Sequence, residues 1–253
     1  MILQADAKQL EWVCASFLSQ DLVACSEILA GFDQHADNQK RFNLPSRLVA
    51  KTFLFRIIYG GSGSSFAIDP EFGYLGGEEW WDEKIAAFYA KYPGLYAWHA
   101  RLYERTCLDH GRLSLPTGRS FQFQPYTYQG VTKYPRTKIL NYPVQSLAAD
   151  IMAIARVSLY KRLLSPRWYL GPLPLWVNTV HDSIVLDIPA KMWYTGTTKD
   201  DLLWLFRSVF ADIPENFHKL FGVEFNLPIR VEIATGDDWK HLTVIGDSNG
   251  GCK

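Results

Sequence analysis

The stretch from Pro45 to Gly60, PSRLVAKTFLFRIIYG, limits what this chain can fold into more than any other. Arg47, Lys51, Phe55 and Tyr59 recur at every fourth residue, and the run stops at a glycine. An α-helix turns about 100° and rises about 1.5 Å per residue, so four side chains spaced this way form one slowly winding stripe about 18 Å long. The two cations come first, close to the positive end of the helix dipole, where they gain nothing from the helix itself. They suit an external anion better. Read from its start, the stripe runs cation, cation, phenyl, phenol, the order of phosphates, sugar and base in a nucleoside triphosphate. The same residues also fit an ordinary amphipathic helix, with Phe55 and Tyr59 in a core and the cations solvated.

The rest of the chain narrows the setting. At 253 residues, with 48% apolar content and formal net charge zero, it is long and apolar enough for one or two globular domains. A surface for nucleic acid therefore has to be local. Residues 101–140 supply one: Arg101, Arg105, Arg112, Arg119, Lys133, Arg136 and Lys138 stand against only Glu104 and Asp109, interleaved with Phe121, Phe123, Tyr126, Tyr128 and Tyr134. Cations mixed with aromatics fit a phosphate backbone, and equally a solvated surface hairpin. Cys14, Cys25, Cys107 and Cys252 show neither a zinc spacing nor a disulfide frame, which suits a reducing compartment. No signal peptide or membrane-spanning apolar run is visible, so no membrane partner is expected.

Periodicity gives the expected elements. Met1–Ala5 reads as a buried strand ending at Asp6, and Gln9–Leu29 as one helix capped by Gly31. Phe32–Leu44 is a polar connection carrying His35. Pro45 starts the striped helix. GGSGSS at Gly60–Ser65 reads as a flexible breaker, as does Thr195–Thr198. Helices are expected over Glu78–Tyr92 and Leu95–Asp109, and a hairpin over Arg112–Phe123 turning at Pro116-Thr117-Gly118. A long helix follows over Asn141–Leu164, with Pro143 near its start. Leu175–Val180 and Ile184–Ile188 read as strands joined tightly at His181-Asp182. Asp200–Phe221 is a helix broken at Pro214, and Pro228–Ile233 a last strand. The order predicts an α+β fold: an antiparallel sheet backed by helices, with a mainly helical subdomain inserted.

Two carboxylates stand at strand ends, Asp6 after ILQA and Asp182 in VHDSIVLDI. An acid there is costly unless it is paired or holds a metal, although a solvated turn would also accommodate either one. On adjacent strands the two could hold a pair of Mg²⁺ ions about 3.5–4 Å apart, an arrangement that serves nucleotidyl transfer.

Four ordered motifs carry a family resemblance. DAKQLEWVCASFLSQD (Asp6–Asp21) resembles motif A of family A, Pol I-like DNA polymerases, with its D-x-S-Q-x-E pattern. RLVAKTFLFRIIYG resembles motif B, with R-x3-K-x3-F-x3-Y-G intact. NYPVQSLAAD (Asn141–Asp150) is similar to N-x-P-x-Q-G-x-A-A-D, and Val180-His181-Asp182 to motif C. Asp33-Gln34-His35, Tyr92-Pro93-Gly94 and Thr117-Gly118-Arg119 are lesser matches. All follow the family's order and span nearly the whole chain.

The resemblance implies roles residue by residue. Asp6 and Asp182 would ligate two Mg²⁺ ions, or Mn²⁺ in their place, helped by the Ala7 carbonyl. Arg47 and Lys51 would bind the dNTP triphosphate, with Lys51 also protonating the leaving pyrophosphate and His35 adding a phosphate contact. Phe55 would pack on the sugar and disfavour 3′-deoxy terminators. Glu11, with Gln9 before it and Tyr59 closing the same space, would exclude a 2′-hydroxyl. Asn141, Gln145 and His181 would touch the primer-template near the nascent pair, and Arg119 and Arg136 its backbone. The implied palm covers residues 1–30 and 141–253, with motif C at 180–183. The implied fingers and a connecting hairpin cover 31–140, with the motif B helix at 45–60.

The departures shape the remaining expectations. Motif C usually reads HDE, and Ser183 replaces that Glu. Ser146 stands where the family has Gly. The chain starts a few residues before motif A, so thumb, first palm strands and exonuclease are expected from a preceding segment or a separate chain. A phage-type replicase working in bacterial or phage-infected cytoplasm is the expected setting. Single-subunit RNA polymerases share the palm and often carry HDS, but a Glu11 gate speaks against ribose. A catalytically inactive nucleic-acid-binding remnant is the third reading, and the intact acids and cations speak against it.

Overall fold

The computed structural model describes residues 1–164, 175–189 and 197–248. The chain divides into two compact units, Met1–Leu10 with Leu147–Lys253, and Glu11–Ser146. The expected break at Thr195–Gly196 and Cys252 lie outside the described residues.

The first unit is built on a five-stranded antiparallel sheet in the order β6 (Leu175–Val180), β7 (Ser183–Asp187), β1 (Ile2–Ala7), β8 (Val231–Gly236), β9 (Thr243–Asp247). Its central strand β1 (Ile2–Ala7) alternates half-buried and buried residues, so Leu3, Ala5 and Ala7 face the core while Ile2, Gln4 and Asp6 face the other way. Strands β6 (Leu175–Val180) and β7 (Ser183–Asp187) form the expected hairpin. The last strand expected over Pro228–Ile233 sits further on, as β8 (Val231–Gly236). β9 (Thr243–Asp247) adds an edge strand that the sequence did not announce. The helix Thr197–Ala211 packs on β8, burying Leu202, Leu205, Phe206, Val209 and Phe210. Each such Phe or Leu contributes about 1.5–3 kcal/mol by leaving water. The expected interruption at Pro214 is real: a new helix, Ile213–Phe221, starts there and ends at Gly222 in the left-handed conformation (φ 68°).

The second unit is mainly helical. The single helix expected over Gln9–Leu29 is two, α1 (Leu10–Ser19) and α2 (Leu22–Ala30), separated by Gln20 at φ 51°. Asp21 causes the break. Its Oδ1 accepts the Ala24 N–H at 2.9 Å and caps α2. Its Oδ2 accepts the N–H groups of Gly94 at 2.6 Å and Leu95 at 3.1 Å, capping a second helix far along the chain. A Cβ on Gly94 would lie 2.8 Å from Asp21, so only glycine permits the approach. The polar connection carrying His35 is itself a helix, α3 (Gln34–Arg41), capped by Asp33.

The striped helix is α4 (Arg47–Ile58), capped by Ser46 and terminated at Tyr59, with Gly60 at φ 78° beyond it. The flexible breaker GGSGSS is half wrong: Ser62 and Ser65 form a reciprocal capping box that starts a short helix, α5 (Gly63–Ala67). Helices α6 (Glu78–Lys91) and α7 (Pro93–Leu108) follow as expected, except that Pro93 opens α7 rather than closing α6. Trp12, Phe53, Phe66, Trp81, Phe88 and Tyr92 form a fully buried aromatic core, with Phe66 stacked on Trp81 at 4.5 Å.

Two hairpins close the unit: β2 (Arg112–Ser114) with β3 (Ser120–Gln122), and β4 (Tyr126–Tyr128) with β5 (Val131–Lys133). The first turns at Pro116-Thr117-Gly118, as expected. The long helix α8 runs Arg136–Leu163, five residues earlier than the expected Asn141 start, and so contains Pro143. Ser146 bridges this point, its hydroxyl donating to the Tyr142 carbonyl at 2.6 Å and the Pro143 carbonyl at 3.2 Å.

Candidate active site

The sheet brings Asp6, Ala7 and Asp182 together. Asp6 pairs with Ser183 across β1 and β7, and the Ala7 N–H donates to the Asp182 carbonyl at 2.9 Å. Directly opposite residues on antiparallel strands have Cα atoms about 4.5–5.5 Å apart, so Asp6 lies beside the β6–β7 turn that carries Asp182, offset from that residue by one position of register. His181, in the left-handed region at φ 51°, makes the tight turn and is exposed. Ser183 is buried and its hydroxyl donates to the Val180 carbonyl at 3.0 Å. It closes the turn instead of offering a carboxylate.

Asp6 also has a neighbour that sequence reasoning missed. On its other side it pairs with Glu232 of β8, on the same half-buried face. Like charges placed opposite each other repel. Lys8 answers this, its Nζ lying 3.1 Å from Glu232 Oε2. The alternation of VEIATG was the available signal, but the pairing of residues more than two hundred positions apart was not readable.

Among the described residues no three His, Cys, Asp or Glu side chains are grouped to hold a metal. Mg²⁺ is a hard cation that takes one or two protein carboxylates and completes its shell with water and substrate phosphate oxygens, and Asp6 and Asp182 are donors of that chemistry whose backbones the register brings together.

On α4 the stripe forms as expected. Arg47 and Lys51 are exposed, Phe55 and Tyr59 are half-buried, and the opposite face carries Ala50, Phe53, Leu54, Ile57 and Ile58 into the core. The Lys51 ammonium lies 5.8 Å from the Phe55 ring centre. Arg47 Nη2 lies 3.1 Å from Asp33 Oδ2, and the Asp33 carboxylate also caps α3 through the N–H groups of His35 and Ala36. Burial pushes the Asp33 carboxyl up, but the Ala36 N–H and the Arg47 guanidinium outweigh it and hold the group below the usual range.

His35 is buried, its ring 6.2 Å from that of Phe55 and its Nδ1 without a protein partner. Burial and then the charge of Arg47 push its pKa down to about 4. At neutral pH its ring is uncharged.

Tyr59 gathers two more of the expected residues. Its hydroxyl is hydrogen-bonded to the Gln145 side chain and feels the Glu11 carboxylate, and burial followed by that negative charge pushes its pKa up to about 12. Glu11, Tyr59 and Gln145 thus form one cluster within the helical unit. Asn141 is half-buried, with its Oδ1 lacking a protein partner. Arg119 is exposed in the β2–β3 hairpin, and Arg136 is exposed at the start of α8, stacked over Tyr103 at 5.1 Å. Gln9 sits at φ 55° between β1 and α1.

A model of DNA polymerase family A matches residues 1–241. DNA polymerase I of Treponema pallidum is 28% identical over 94% of this chain and 22% of its own length. The thermostable DNA polymerase I of Thermus filiformis is 27% identical over 94% of this chain and 27% of its own length. The chain thus spans about a quarter of the curated relatives it matches. Among solved structures, the POL domain of Pol1 from M. smegmatis, in complex with DNA primer-template and dNTP, superposes with a TM-score of 0.75 at 18% identity, over 94% of this chain and 40% of that one.

Proposed function

The chain belongs to DNA polymerase family A, and from that membership we propose that it is the catalytic palm and fingers part of a template-directed DNA polymerase. The observation that carries this reading is the register that sets Asp6 beside the Asp182 turn. In this reading the palm is 1–30 with 141–253, the fingers are 31–140, and thumb and exonuclease come from a preceding segment or a second chain. We place it, by resemblance, among phage-type enzymes acting in bacterial or phage-infected cytoplasm; among the described residues no helix is long and apolar enough to cross a membrane.

Asp6 and Asp182 would hold two Mg²⁺ ions, with the Ala7 carbonyl assisting. Bound there, such ions would supply Lewis-acid chemistry, lowering the pKa of the attacking 3′-hydroxyl and neutralising charge on the leaving pyrophosphate. The chain's own groups do the rest. Arg47 exchanges its exposed Asp33 partner for a phosphate, a cheap trade because a surface ion pair is worth only about 0–1 kcal/mol. Lys51 binds the same triphosphate and delivers a proton to the leaving group. Phe55 supports the sugar, and His35 donates a neutral N–H. The Glu11–Tyr59 cluster blocks a 2′-hydroxyl, with Gln9 beside it. Gln145, Asn141 and His181 meet the primer-template at the nascent pair, while Arg119 and Arg136 meet its backbone.

The test is primer extension with dNTP and Mg²⁺, with and without a thumb-bearing N-terminal polymerase segment. Extension that Asp6→Ala abolishes supports the reading, and extension that Asp6→Ala leaves intact sinks it. Efficient use of rNTP by the wild type would transfer the chain to the RNA polymerase reading that Ser183 leaves open.

A further inference from the structure

The β4–β5 hairpin does no work for the fold. All six strand residues are exposed, and Tyr126, Tyr128 and Val131 keep 49%, 53% and 57% of their surface in water. Only its root is anchored. Tyr134 packs on the cluster of Leu113, Phe123 and Ile139, and its carbonyl accepts the Tyr103 hydroxyl at 3.4 Å. The turn is Gln129-Gly130, both left-handed at φ 51° and 74°, which matches the twist of a two-residue hairpin. An isolated hairpin of this kind is marginal in water, so a chain that keeps one projecting from a firm base has a use for its faces.

The faces are unlike. Tyr126 stands opposite Lys133 and Tyr128 opposite Val131, so one side carries both phenols and the ammonium, and the other only the pair Thr127–Thr132. The Lys133 ammonium lies 4.8 Å from the Tyr128 ring centre. Two residues along a strand are about 6.8 Å apart, a spacing commensurate with bases along one nucleic-acid strand. From His110 to Ala149 the sequence has no Asp or Glu, and it has Arg112, Arg119, Lys133, Arg136 and Lys138. In a chain of zero net charge, such a stretch complements a polyanion.

We infer that the β4–β5 hairpin is a single-strand nucleic-acid binding element, stacking Tyr126 and Tyr128 on bases and setting Lys133 on the backbone. Stacking platforms flanked by cations grip single strands without regard to sequence. That strand is the template only if the polymerase reading holds; the binding itself does not need it.

The test is fluorescence anisotropy of the whole chain with labelled oligothymidylate and with a duplex of equal length. Tyr126→Ala/Tyr128→Ala weakens oligothymidylate binding about tenfold or more and changes duplex affinity less than about twofold. Lys133→Gln flattens the slope of log affinity against log salt by about 0.7. Thr127→Val/Thr132→Val, on the other face of the same hairpin, keeps wild-type affinity. The inference falls if the tyrosine variant binds oligothymidylate as the wild type does, if single strand and duplex lose equally, if the threonine variant loses as much, or if the wild type does not bind oligothymidylate. Tyrosine-dependent binding without primer extension would overturn the polymerase reading and leave the hairpin assignment standing.

Discussion

The two units hold their chemistry by different means. In the sheet unit, the places of Asp6 and Asp182 are set by main-chain hydrogen bonds, since register alone puts the Asp182 turn beside β1. In the helical unit, Arg47, Lys51, Phe55 and Tyr59 share a helix face, and each side chain has its own local partner: Asp33 for Arg47, the Phe55 ring for Lys51, and Gln145 with Glu11 for Tyr59. A register admits no partial occupancy, whereas a stripe of side chains can trade one partner for another. Loss of an acid should therefore be all-or-none, and loss of a stripe residue graded.

The largest expected effect tests the first half of that contrast. Asp182→Ala lowers primer extension by about a thousandfold or more while the melting temperature stays near that of the wild type, because the ladder needs only the backbone. Lys51→Ala, on the graded side, costs about a hundredfold, the usual share of one proton donor. Equal losses from the two substitutions, measured in the same single-turnover assay, would erase the distinction.

A third substitution asks whether the helical unit rests on side chains for its fold as well. Asp21→Ala removes caps from two helices at once, and urea denaturation should show a loss of about 2 kcal/mol or more. Glu11→Ala then separates chemistry from fold: incorporation of rNTP relative to dNTP rises about tenfold, and stability is unchanged.

The smallest effect is one of pH. The folded pKa of His35, about 4, lies below the ordinary histidine value of 6.5, so between those values the unfolded chain binds more protons. Stability therefore falls as pH drops from about 6.5 towards 4. His35→Leu makes that fall less steep in a series of denaturation midpoints. His99, buried against Tyr89 and pushed down to about 3, supplies part of the slope that remains.

The sequence was most legible where a signal is local. The apolar run Met1–Ala5 announced β1, which extends to Ala7, the four-residue stripe announced α4, and Val-His-Asp between apolar runs announced the β6–β7 hairpin. It failed where the deciding partner is remote. At Gln20-Asp21 the local signal was only an N-cap aspartate for Ala24, and the further partners that fix Asp21, Gly94 and Leu95, are remote. Pro143 was read as lying near a helix start, whereas the helix begins at Arg136 and runs through it. Asp6, Ala7 and Asp182 were legible as candidates, but Glu232 was not, since its place opposite Asp6 exists only once β1 and β8 are in register.

The most direct measurement is anomalous diffraction from crystals of the chain grown with Mn²⁺ and dNTP. The account predicts two manganese peaks about 3.5–4 Å apart, both within coordination distance of the Asp6 and Asp182 carboxylates. Manganese bound elsewhere, or at one of these acids without the other, would contradict it.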